Sequence, residues 1–162
     1  MDVRDLFLIN LGEMLDVEQT LAEEVLPELR EETTEKHFRA AIEEHIVQTH
    51  RHVVNIDRVF ASLKEKPRRR TSRGLEGLRR QHQEVASQID PPAVRDLLNA
   101  ASAAHTEHYE ISAYHALITT ASMLGEPEVV EILEENLHDE EETLAKLEKS
   151  IPERLSPRLA PA

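Results

Sequence analysis

Apolar residues recur every three or four positions along most of the chain, the period of helices buried on one side. Leu6, Phe7, Met14, Val17, Leu21 and Val25 share one face and predict a first helix over about residues 3–30. Asp2 is its candidate cap, and Pro27 should kink it or start its last turn. EETTEKHF breaks the pattern, with Thr33 or Thr34 as the expected N-cap of a second helix reaching about position 64. Phe38, Ala41, Ile42, Ile56, Val59, Phe60 and Leu63 line that helix. KEKPRRRTSRG then interrupts periodicity, and a shorter third helix is expected over about residues 75–88. SQIDPPAV is a start signal, with Asp90 capping and Pro91 in the first helical position. The fourth helix carries Leu97, Ala100, Ala104, Ile111, Tyr114 and Ile118 and stops at Gly125. Pro127 opens a fifth, striped by Val129, Leu133, Leu137, Leu144, Leu147 and Ile151 and ending near position 150. PERLSPRLAPA is expected to fray, leaving a domain over 1–151 and a flexible tail over 152–162.

Short loops join helices one to two and four to five, so each pair should be antiparallel, while the third helix lies in a long connection. Two helical hairpins joined by such a crossover predict an all-α, ferritin-like four-helix bundle with one extra short helix. Composition agrees: 162 residues suffice for one core, and four glycines with 3% aromatics point away from a sheet protein. A formal net charge of −13 argues against general nucleic-acid or anionic-membrane binding. With no cysteine, disulfides, thiolate metal sites and cysteine nucleophiles drop out together, which suits a cytoplasmic protein. The start, MDVRDLFLIN, lacks the basic and apolar regions of a signal peptide, and no apolar run of about 18 residues can span a bilayer.

Polar residues interrupt the apolar faces. Glu18 falls within the first stripe, with Glu13 and Glu24 nearer its edges. His45, Thr49 and His52 fall inside the second, with Gln48 on its flank. Glu107 lies near the centre of the fourth-helix stripe, Glu110 to one side, and Glu140 inside the fifth. Glu135 and His138 form a literal ExxH, but both point away from Leu133 and Leu137 and read as surface. Counting from the turns sets Glu18 level with Gln48, and Glu110 level with Glu140. If the hairpins pack in register, all four long helices feed one buried polar layer.

Several carboxylates buried together would have to protonate unless cations neutralise them. Carboxylate oxygen and imidazole nitrogen suit iron or manganese, held singly or as a pair able to meet oxygen or peroxide. Glu18, Glu107, Glu110 and Glu140 are the candidate anionic ligands, His45 and His52 the neutral ones, and Gln48 a weak ligand or outer donor. Tyr114, one turn beyond Glu110, is a candidate outer partner. The alternative is a metal-free hydrogen-bonded network that keeps the bundle in register.

DVEQTL around Glu18, EEHIVQTHRH around His45, TEHYEISAY around Glu107 and Glu110, and LEENLHDEEE around Glu140 resemble the YciE/YciF family. That is a ferritin-like family of small bacterial proteins linked to stress responses. The resemblance runs from about Asp5 to Ile151 and implies a four-helix core with an extra helix, and a homodimer rather than an iron-storing cage. It aligns Glu18, His45, Thr49, Glu107, Glu110 and Glu140 with family positions, and Asp139 with another usual acid. One departure stands out: Gln48 occupies a position where the family has glutamate. A neutral amide cannot bridge two cations as a carboxylate does.

Lys64, Lys66, Arg68, Arg69, Arg70 and Arg73 concentrate positive charge in the crossover. Without aromatics for base stacking, this segment reads as a linker balancing local acidity rather than a nucleic-acid contact. His37, His50, His82, His105 and His115 fall mostly off the stripes and read as surface. The chain has no glycine-rich phosphate loop and no nucleophile elbow.

Overall fold

The computed structural model describes residues 1–159. The long first segment is helical as α1 (Val3–Thr20) and α2 (Leu26–Glu32), joined without a break through a π-helical stretch at Leu21–Val25. Asp2 caps α1 in a full capping box with Asp5. The π stretch has a local cause. Pro27 has no N–H to give the carbonyl four residues back, and its ring would crowd that carbonyl. The helix widens instead, and Leu26 N–H bonds Leu21 O, five residues back. The same device recurs near the other end of the chain. Pro152 follows a second π stretch, Lys146–Ser150, and Ile151 N–H bonds Lys146 O.

Helix α3 (Lys36–Ser62) returns beside α1 and α2. Its cap is Glu35, which accepts from Phe38 N at 2.7 Å, rather than Thr33 or Thr34. Thr33 instead bonds back to Leu29 O and ends α2. The crossover contains α4 (Arg73–Ala86). It leads to α5 (Pro92–Leu124), in which Pro91 takes the cap position and Pro92 the first turn, one residue later than expected. Gly125, in the left-handed region at φ 73°, ends α5, and Pro127 opens α6 (Pro127–Ala145).

The four long helices form a closed square in which α1 neighbours α3 and α5, and α6 neighbours α3 and α5. Every neighbouring pair is antiparallel, as the side-chain pairs Arg4–Glu65, Glu18–Tyr114, Ser62–Glu128 and Asn136–Tyr114 require. The crossover climbs along α1. Arg70 N donates to Gly12 O at 3.0 Å, Arg69 Nε to Asp16 at 2.6 Å, and Arg79 to Glu24 and Glu28 at 2.7 and 3.1 Å. Gly12 permits this approach, because a Cβ there would sit 2.4 Å from Arg68 O. Arg69 and Arg70 thus pair with acids of α1, which accounts for part of the basic run.

Leu6 and Leu97, placed on the stripes from sequence, are 46% and 41% exposed. The buried face of α5 is rotated toward Asn99, Ala100, Leu117 and Ala121. The expected frayed tail is helical: α7 (Ile151–Leu159) continues from α6 through the second π stretch and packs on α5. Residues 160–162 of that tail lie outside the described residues. Buried Asp96 of α5 explains the docking. It accepts from Thr34 N, Thr34 Oγ1 and Glu35 N at 2.8, 2.6 and 3.0 Å, and Arg158 of α7 neutralises it at 2.5 Å. Leu155 is fully buried. Leu155→Ala should therefore cost about 2–4 kcal/mol in urea unfolding. A loss below about 0.5 kcal/mol, as for an exposed site, would show that α7 is not part of the core.

Candidate metal centre

One level of the bundle collects Glu18 from α1, His45 and His52 from α3, Glu107 and Glu110 from α5, and Glu140 from α6, all buried. His52 Nδ1 lies 2.9 Å from Glu140 Oε1 and 3.3 Å from Glu18 Oε2. His45 Nε2 lies 3.3 Å from Glu107 Oε1 and 3.5 Å from Glu140 Oε2. Two groups result, Glu18–His52–Glu140 and His45–Glu107–Glu140, each with its ligand atoms within 4.8 Å of one another. Glu140 belongs to both and turns one oxygen to each.

These approaches are close but badly aligned for hydrogen bonds. Among the described residues, Glu18 Oε2, His52 Nδ1, Glu107 Oε2 and both oxygens of Glu110 and Glu140 have no hydrogen-bond partner. Buried polar atoms are ordinarily satisfied, so such a concentration needs an explanation. Oxygens and nitrogens that converge at this depth without well-aligned hydrogen bonds form, once their protons are lost, a donor set fitted to cations. A void of about 20 Å³ beside His45, Glu107 and Thr143 offers room for about one water molecule.

The outward nitrogens of the two histidines are, by contrast, well held. His52 Nε2 meets Asp139 Oδ2 at 3.0 Å, and Arg51 donates to that same oxygen. Partial burial pushes Asp139 up, but His52 and Arg51 outweigh it and hold the carboxyl below its usual range. An ionised Asp139 holds the Nε2–H, so Nδ1 is the nitrogen whose lone pair can face a cation once its own proton is lost. His45 is turned the other way: Nδ1 faces Gln48 Oε1 at 3.3 Å and Thr143 Oγ1 at 3.2 Å, leaving Nε2 inward. Gln48 is half-buried, and its side-chain oxygen faces the Nδ1 side of the His45 ring. An amide oxygen suffices for accepting an N–H, which gives the glutamine a role that needs no charge.

Tyr114 donates to Glu18 Oε1 and accepts from Asn136 Nδ2 at 2.9 Å. Asn136 in turn accepts from Asn55 Nδ2 at 2.8 Å. The sequence reading missed this Asn55–Asn136–Tyr114 chain, although helical spacing carried the signal: Asn136 stands four residues before Glu140, and Asn55 three after His52. Glu18 is level with His52, not Gln48. The turn centres on Thr34, two residues beyond the expected point, and side chains lean toward their own helix N-terminus, so those of α1 and α3 lean oppositely. Glu135 and His138 are exposed, as expected, and take no part in the cluster.

Burial governs the protonation of the inner groups. Glu107 is pushed up to about 7 by desolvation, with Glu140 and His52 pulling back and Glu18 adding to the rise. Glu110 is raised by burial and then by Glu140, Glu18 and Glu107. Glu140 is raised chiefly by burial and Glu107. Desolvation pulls His52 down, but Glu18 and Glu140 together lift it to about 11. Burial and Glu18 keep Tyr114 protonated.

A bundle of two antiparallel helical hairpins, with acids and imidazoles from all four long helices meeting inside, is the ferritin-like arrangement. Within that class the chain belongs to the family described as a domain of unknown function, DUF892, whose pattern matches residues 2–160. It is 32% identical to YciF of Escherichia coli K12 over 146 residues, covering 90% of this chain and 87% of that one. The crystal structure of the E. coli stress protein YciF superposes with TM-score 0.87 at 30% identity, over 93% of this chain and 94% of the other. YcfI of Rhodopseudomonas palustris superposes with TM-score 0.90 at 30% identity, over 92% and 94% of the two chains. A Xanthomonas campestris protein, 21% identical, shares the fold at TM-score 0.77 over 96% and 95% of the two chains.

The raised groups give the metal-free protein a directional pH response. His52 stabilises fully below about 6.5, and that contribution is lost as pH rises toward about 11. Glu107 does so below about 4.5, with loss through about 7. Glu35 and Asp139, held low, respond only in acid. The melting temperature of metal-free protein should fall from about pH 5 to about pH 9. A flat or rising profile would contradict this protonation pattern.

Proposed function

We propose that the protein is a metal–carboxylate protein that holds iron or manganese inside the bundle and acts on oxygen or peroxide in a stress response. The observation that supports this reading is the set of partnerless oxygens and nitrogens converging around Glu140. In this reading Glu18, His52 and Glu140 would hold one ion, and His45, Glu107 and Glu140 the other. Glu110, which falls in neither group but is fully buried and without a partner at either oxygen among the described residues, would complete the set. Four carboxylates against two divalent ions leave the layer formally neutral, which removes the desolvation cost of the acids. The metal would supply redox chemistry toward oxygen. The chain's own groups fix ligand geometry: Asp139 aims His52, Gln48 and Thr143 aim His45, and Tyr114 holds Glu18. The stress assignment rests on likeness to YciF, and a cytoplasmic homodimer belongs to the same proposal.

A second reading has support of its own. His52, as an imidazolium between Glu18 and Glu140, offsets part of the acid charge without metal. YcfI is put forward as a structural protein. In this view the polar layer only sets helix register, as buried polar groups do in some bundles.

Thermal melting with added manganese(II), or iron(II) without air, separates the two. At one hundred times the dissociation constant a ligand adds about 2.7 kcal/mol, a rise of roughly 5–10 °C for a chain of this size. Glu107→Gln and Glu140→Gln should abolish that rise. No shift in the parent protein, with equal or greater stability in both variants, would favour the structural reading.

A further inference from the structure

A larger cavity, of about 240 Å³, lies outside the metal-ligand cluster. Helix α4 packs on α5 and is tied to the Leu21–Glu32 stretch by the Arg79 ion pairs. The space between is walled by Leu21, Val25, Leu26, Leu29, Leu75 and Leu78. Its deep end is marked by Glu107, 3% exposed, and its rim by Glu28 and Glu32, both in contact with solvent. The π stretch at Leu21–Val25 forms part of one wall, so the widened helix turn and the cavity coincide.

The polar groups along the wall define the occupant. Arg79 is taken by Glu24 and Glu28, and His82, half-buried rather than surface, is held to Asn99 Oδ1 at 2.8 Å. Arg95 donates to Ile89 O. Among the described residues Arg95 has no carboxylate partner, but against Arg79 and Arg95 the three lining acids Glu28, Glu32 and Glu107 leave the wall without net positive charge and disfavour an anionic ligand. The wall carries no aromatic face to hold an organic cation. Apolar cavities of ~150 Å³ hold benzene, so this one has room for roughly ten non-hydrogen atoms.

We propose that this cavity binds a neutral, mainly apolar small molecule, seated with one end at Glu107 beside the carboxylate–imidazole cluster. That the ligand is also the organic reaction partner of the centre rests on the metal reading above; that it binds does not. Placed there, it approaches the cluster from the α1–α5 side, opposite to the Arg51–Asp139 pair on α3 and α6.

The test uses the full, metal-free chain and the neutral fluorophore 2-naphthol, with ~11 non-hydrogen atoms. Fluorescence titration should saturate at one site with a dissociation constant on the order of 0.1 mM. Decanol should displace the probe and decanoate should do so at least tenfold less well. Leu78→Trp, at the half-buried wall, and Ala86→Leu, far along α4 from the cluster, should each weaken binding tenfold or more. Circular dichroism must show both variants helical, and the metal-induced melting shift should survive in each. That last readout separates failure of the cavity from failure of the metal site. Non-saturable binding, equal or better binding of decanoate, or unchanged affinity in two folded variants would overturn the proposal. Binding that weakens as protein concentration rises would overturn it too, because a second copy would then cover the opening.

Discussion

Four glutamate side chains share one buried level with two imidazoles, and the rest of the molecule has to accommodate that charge. Carboxylates removed from water are costly even when paired, and like charges crowded together protonate. The raised Glu107, Glu110 and Glu140, against a strongly raised His52, express that conflict in the protein by itself. Glu110 and Glu140 find no hydrogen-bond partner among the described residues, whereas the outer atoms of His52, His45 and Glu18 are held by Asp139, by Gln48 and Thr143, and by Tyr114. A network evolved only to satisfy itself would be expected to close its inner contacts first. Here orientation is secured from outside and the convergence point is left to something else.

Four helices must arrive at one depth for this to happen, and the fold fixes each of them lengthwise. Asp96 clamps the α2–α3 turn to the start of α5, and Arg158 brings α7 into the same clamp. The crossover binds α1 along its length through backbone and arginine contacts. Two prolines, Pro27 and Pro152, each set a π stretch in the helix before them. One of those stretches borders the apolar cavity that reaches Glu107. A substitution far from the acids can thus change their depth without touching them.

Much of this was legible before any coordinates. The 3.6-residue period placed Glu18, His45, His52, Glu107, Glu110 and Glu140 on inward faces because a buried glutamate keeps step with neighbouring leucines. The ExxH of Glu135 and His138 could be set aside by the same reasoning. Register was harder, since it depends on where a turn centres and how side chains lean; two residues at Thr34 exchanged Gln48 for His52 as the partner level with Glu18. Leu6 and Leu97 misled because an apolar residue at a stripe's edge looks the same in sequence whether covered or not. Leu155 and Arg158 looked like tail residues because their value lies in Asp96 and α5, distant in sequence. Gln48, read as a weak ligand or an outer donor, lies against the outer nitrogen of His45, which accords with the outer role.

Locating the ion itself tests the central claim most directly. Crystals grown without chelator and soaked in manganese(II), measured at the manganese absorption edge, should give anomalous peaks among Glu18, His52 and Glu140 and among His45, Glu107 and Glu140. Peaks confined to exposed acids, or none inside the bundle, would contradict the account.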